Sequence, residues 1–77
     1  MEDLKKKILN CFKEVIKIEE NISTEKIIYN EYPGWDSVAH MAIIAELESN
    51  FDCMMDMEDV LDLSSFEKAY EIMQKYL

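Results

Sequence analysis

Glycine, proline, histidine and tryptophan each occur once in this chain of 77 residues, and all eight basic residues are lysines. A chain with one His, one Gly and one Pro has little from which to build an enclosed active site, so an enzyme is a poor first reading. Cys11 and Cys53 lack CxxC spacing, there is no His-rich tract or apolar run long enough to cross a membrane, and no secretory leader is expected, since Met1-Glu2-Asp3 is unlike one. The expectation is a reducing cytoplasm with two free thiols. Cys11 fits the apolar face of a first helix, whereas Cys53 has no evident place. No lysine falls between Lys26 and Lys68, while Glu31, Asp36, Glu46, Glu48, Asp52, Asp56, Glu58, Asp59, Asp62 and Glu67 lie in that interval. With a formal net charge of -9, such a chain repels phosphate backbones and anionic lipids, which disfavours nucleic acid and membrane insertion and favours basic protein partners. For most single carboxylates, plain solubility is explanation enough.

Hydrophobic residues make up 49% of the chain, which argues for a core rather than disorder. One domain spanning 1–77 is expected, burying about 60% of its unfolded surface. Leu4, Ile8, Cys11, Phe12, Val15 and Ile16 recur at three- and four-residue intervals and predict an amphipathic helix over residues 2–18. Residues 19–35 break the pattern with Asn21, Ser23, Asn30 and Pro33-Gly34, a long loop that Ile27, Ile28, Tyr29 and Tyr32 are placed to pin to the core. A second helix is expected from about Ser37 to Asn50, with Val38, Met41, Ile44, Ala45 and Leu47 on one side. A short element near Met57–Asp62 follows. The last helix begins at Ser64-Ser65-Phe66-Glu67, a capping-box pattern leading into Ala69, Tyr70, Ile72, Met73, Tyr76 and Leu77. The fold class is therefore all-α, a small four-helix bundle with three main helices, a short third helix and a long loop between the first two.

Gly34-Trp35-Asp36-Ser37 is the stretch that carries most chemistry. Pro33-Gly34 ends what precedes it, Asp36 is a preferred N-cap type, and Ser37 then falls in the first helical turn among unpaired backbone N–H groups. A phosphodiester on Ser37 would meet those donors and the positive end of the helix dipole, with Asp36 opposing part of that field.

Gly34, Asp36, Ser37 and Val38, then Glu46-Leu47-Glu48 and Phe51-Asp52, then Phe66-Glu67-Lys68-Ala69 together resemble the acyl carrier proteins and the related peptidyl carrier domains over nearly the whole chain. The resemblance implies that Ser37 accepts 4′-phosphopantetheine from coenzyme A through a separate phosphopantetheinyl transferase, and that the arm's thiol carries acyl or aminoacyl groups as thioesters. Ser37 is then a point of attachment in a non-catalytic protein. Asp36 takes the implied role of helping to bind the transferase's magnesium complex, beside its plain role as an N-cap. The implied partners are that transferase, an acyl- or aminoacyl-loading ligase and downstream biosynthetic enzymes with basic docking surfaces, in lipid or polyketide synthesis, met by a monomeric carrier. Trp35, Val38, His40, Met41, Glu46, Glu48, Asp56, Glu58 and Asp59 are the candidate partner-binding residues. Compared with housekeeping fatty-acid carriers, Ala39, His40 and Ala42 replace the acids usual just after the serine, and Trp35 replaces a small or aliphatic residue. These departures point to a carrier serving a specialised pathway.

Other readings compete. His40 lies three residues after Ser37 on one helix face, but a nucleophilic pair needs a third orienting group and an oxyanion site, so His40 is expected at the surface near the arm. Asp52, Asp56, Glu58, Asp59 and Asp62 cluster without the central Gly of a calcium loop, leaving at most loose cation association and no metal site. Met54, Met55 and Met57 suit either core packing beneath the third helix or the lining of a shelter for an acyl chain. An unmodified acidic helical interaction module would look similar overall, and a peptidyl or aryl carrier stays open within the carrier class.

Overall fold

The computed structural model describes residues 2–19 and 21–76. Four α-helices follow one another, α1 at Glu2–Lys13, α2 at Ser37–Phe51, α3 at Met57–Asp62 and α4 at Phe66–Met73, with 3-10 turns at Thr24–Lys26 and Gln74–Tyr76. Among the described residues there is no strand, only an isolated antiparallel bridge between Ile28 and Ser65. The four-helix, all-α architecture with a short third helix agrees with the sequence reading; Met1 and Leu77 lie outside the described residues.

α1 buries Ile8, Cys11 and Phe12 against α2 and α4. It ends at Lys13 rather than at 18. The N–H of Val15 turns back to the Phe12 carbonyl at 3.0 Å and that of Ile16 to the same carbonyl at 2.9 Å, so the chain tightens and leaves the helix axis while Ile16 still points into the core. Apolar spacing alone does not separate a helix from such an exit.

The long connection is anchored to the head of α4. Tyr29 N–H donates to Ser64 O and Phe66 N–H to Ile27 O, both at 2.9 Å, and Glu19 N–H donates to the Tyr32 hydroxyl at 3.0 Å. Ile27 and Tyr32 are buried, with Ile28 and Tyr29 half-buried, as the loop reading expects. Trp35 closes the loop over Phe12, their rings edge-on with centroids 5.0 Å apart, and Phe12 in turn meets Phe66 at 5.6 Å. Each such pair contributes about 0.5–1.5 kcal/mol beyond area burial.

α2 buries Ile43, Ile44 and Leu47, so the expected side holds for Ile44 and Leu47 but not for Val38, Met41 and Ala45, which are exposed. Its first nine residues are apolar apart from Ser37 and His40, so the pattern has little contrast from which to read a direction. α4 is capped by Ser65, whose Oγ accepts from Lys68 N–H at 3.0 Å. That puts lysine at the position where a reciprocal capping box needs Glu or Gln, and Glu67 accepts a hydrogen bond from Thr24 Oγ1 at 2.8 Å instead.

α3 is six residues long, too short to hold its shape without tertiary contacts. Val60 and Leu63 anchor it in the core. Glu48 Oε2 accepts from Met55 N–H at 2.9 Å ahead of the helix. Behind it, Asp59 accepts from Lys75 Nζ at 2.8 Å and from the Tyr76 hydroxyl, whose oxygen also accepts from Asp56 N–H at 3.0 Å.

Candidate functional site

Pro33 and Gly34 turn the chain just before α2, Gly34 with φ of +92°, a conformation that side-chain-bearing residues rarely adopt. Asp36 is extended, and its Oδ1 accepts from Ala39 N–H at 2.9 Å while its carbonyl accepts from His40 N–H at 2.8 Å. The helix therefore starts at Ser37, which is exposed. Helical geometry gives the N–H groups of Ser37 and Val38 no acceptor inside α2, so both are directed at whatever approaches the serine.

Ser37 stands at the mouth of a recess of about 400 Å³ between α2 and α3. Met41 lines it from α2; Met55, Met57, Val60 and Leu61 line it from the α3 side, and the half-buried Tyr29 and His40 complete the lining. Its rim is apolar as well as its floor. Met41, Met57 and Leu61 of the lining are 58–76% exposed, and Val38, next to Ser37 in the chain, is 80% exposed, an unusual concentration of apolar side chains in a chain this acidic. The methionines divide: Met55 is buried, Met57 is exposed at the recess and Met54 is exposed away from its lining.

His40 is not the surface residue the sequence suggested. It is half-buried, Trp35 Nε1–H donates to its Nδ1 at 3.1 Å, and its Nε2 lies 2.8 Å from Val60 O. An indole N–H only donates, so Nδ1 accepts, the ring proton sits on Nε2, and the neutral imidazole donates to the Val60 carbonyl. Both nitrogens are engaged, by Trp35 and by Val60, so His40 offers Ser37 no free nitrogen for a nucleophilic pair. Trp35 is likewise corrected: it is 1% exposed, enclosed by Phe12, Tyr29 and His40, and supports the site from beneath.

Asp59 is the other correction among the candidate contacts. It is buried, and hydrogen bonds from Lys75 and Tyr76 hold its carboxyl below the usual range while raising the lysine and the tyrosine. Such a carboxylate is occupied within the fold. Glu46 and Glu48 are half-exposed, Glu46 facing a recess toward α1 with Asn10 and Cys11, while Asp56 and Glu58 are exposed on either side of Met57 in the chain. Among the described residues no three His, Cys, Asp or Glu side chains converge as a metal set. Cys11 is buried, its thiol directed at Glu46 O, and burial followed by the nearby Glu46 charge pushes it up to about 11. Burial also raises the Cys53 thiol, which is half-buried.

The sequence reading weighed a shelter lined by Met54, Met55 and Met57; Met55 and Met57 do line the recess and Met54 does not, while the walls from Tyr29, Met41, Val60 and Leu61 are set by tertiary contacts that leave no local trace. The only available signal was that Met41, Met55 and Met57, flexible apolar side chains, flank the segment after Ser37.

Residues 6–71 match the family described as the phosphopantetheine attachment site. No curated protein and no solved structure matches the chain.

Proposed function

Because the chain belongs to the phosphopantetheine attachment family, whose domains bear the arm covalently, we propose that Ser37 is the residue that takes it. The protein is a carrier, and carrier domains of this kind are generally non-catalytic. One observation carries the assignment: Ser37 is an exposed hydroxyl in the first turn of α2, directly after its capping aspartate and at the mouth of an apolar recess.

The residues present suit the group. In the attachment step Ser37 Oγ bonds to the phosphorus of coenzyme A's phosphopantetheine, its proton passes to the transferase, and the nucleotide leaves as adenosine 3′,5′-bisphosphate. The resulting phosphodiester would lie over the N–H groups of Ser37 and Val38. Asp36 holds the first turn through Ala39 and, in our reading, offers its carboxylate to the transferase's magnesium complex. Once attached, the arm supplies a thiol that holds cargo as a reactive thioester. The chain's own contribution is placement and shelter, the latter in the recess between Met41 and Met55.

Partners are read as enzymes with an apolar contact for Val38, Met41, Met57 and Leu61 and basic groups for Asp56 and Glu58. That mixture of apolar and acidic surface supports a carrier dedicated to one biosynthetic route, loaded by its own acyl- or aminoacyl-ligase. The test is intact mass after incubation with coenzyme A, magnesium and a broad-specificity phosphopantetheinyl transferase. A gain of one phosphopantetheine on the native chain and none on Ser37→Ala is expected; a folded native chain that gains nothing, or a Ser37→Ala chain that gains the same mass, overturns the assignment.

A further inference from the structure

The recess beside Ser37 has a neighbour. A second, smaller recess of about 130 Å³ is lined by Leu63 and Ser64, and it shares Tyr29, His40 and Leu61 with the larger one. Leu61 is 76% exposed and forms an outer lip, so the inner boundary between the two spaces falls to Tyr29 and His40. The imidazole is fixed at both ends, by Trp35 Nε1–H on one nitrogen at 3.1 Å and by the Val60 carbonyl on the other at 2.8 Å. The Tyr29 ring packs edge-on against it, with centroids 5.2 Å apart.

We propose that His40 is a specificity-determining end wall: it stops an apolar acyl group, carried on the arm at Ser37, at the floor of the larger recess and keeps it out of the smaller one. The proposal rests on the carrier reading of Ser37 and adds the cargo property that this chain selects, the length of an apolar acyl thioester. The physical argument is rigidity. A side chain held by one contact yields to an entering methyl group, whereas this ring gives way only by breaking two hydrogen bonds and leaving an indole N–H and a carbonyl unpaired in a half-buried place. The ring also ties α2 to α3 through Val60, so displacing it loosens the wall that Val60 and Leu61 provide.

The experiment loads the phosphopantetheinylated protein with saturated acyl groups from butyryl to palmitoyl and follows two readouts, thioester cleavage by hydroxylamine and the thermal midpoint of each acyl form. In the native chain, protection and midpoint rise with length to a limit and then rise no further. In His40→Ala the limit moves to longer chains, with the sheltered population growing about fourfold for each methylene newly admitted. Filling the smaller recess from its far side in the double variant His40→Ala/Ser64→Phe restores the native limit. A folded His40→Ala protein with an unchanged length profile overturns the proposal.

A second measurement does not depend on the variant's folding. With the terminal methyl of the longest sheltered acyl group isotopically labelled, proton contacts to Met55 and Val60 are expected in the native protein. Contacts to Leu63, which lines only the smaller recess, overturn the wall. Failure of the carrier reading is separately visible, since it removes the mass gain on Ser37 before any acyl group is loaded.

Discussion

A single glycine decides where the site's helix can begin. A Cβ at Gly34 would stand 3.5 Å from Ile16 Cγ2, an ordinary contact, so the obstacle to a side chain there is the backbone angle of +92° and not the space. Gly34→Ala is expected to lose about 1–2 kcal/mol in urea unfolding, the cost of forcing an L-residue to positive φ. Cys11 makes a second statement at this scale. Its thiol is buried and raised to about 11, so iodoacetamide at neutral pH should label Cys53 in the native protein and reach Cys11 only when unfolding is induced. Equal labelling of the two cysteines in the native state would contradict this packing.

Among the elements, α3 depends most on its neighbours, and its dependence has a pH signature. Asp59 has its folded-state pKa lowered by the hydrogen bonds from Lys75 and Tyr76, so its contribution is fully present above the ordinary carboxylate pKa and is lost as pH falls through the lowered value. Lys75 and Tyr76, whose values are raised, contribute below their ordinary pKa values and lose that contribution as pH climbs through the raised ones. Native protein and Asp59→Asn should therefore differ most in urea midpoint near neutrality, and the difference should shrink as the solution is acidified below the carboxylate range. A gap that stays constant into strong acid would mean the ion pair is not what holds α3. The start of α2 was legible in the sequence because a cap is a local device: Asp36, its Ala39 partner and Ser37 lie within four residues. The buried face of α2 and the roles of Trp35, His40 and Asp59 were not, because each is fixed by groups distant in the sequence, and the end of α1 was hidden because apolar spacing runs on past its last helical residue. The Asp59–Lys75 pair and the His40–Val60 bond have no periodic trace in the chain. The reading of Ser64-Ser65-Phe66-Glu67 failed by one residue, and that shift moved Glu67 from a cap to a tie across to Thr24.

Across the whole molecule, the lysines lie at the two ends of the sequence and the span from Glu31 to Glu67 is without a positive charge. That span holds Ser37, the recess and the apolar rim, so a basic partner is drawn toward the working side by a field that salt screens over about 8 Å at physiological ionic strength. The modification rate with a basic transferase at limiting protein concentration should accordingly fall as salt is raised, and Glu58→Lys should both lower the rate and flatten its salt dependence; a rate indifferent to both would place the recognition in the apolar rim alone. The chain's sole indole, Trp35, is sealed in the protein yet joined by a hydrogen bond to the imidazole beneath the recess. Its ultraviolet emission therefore reports on this one locality without an added dye, so loading, acylation and partner docking can each be timed by light from a residue that touches none of them.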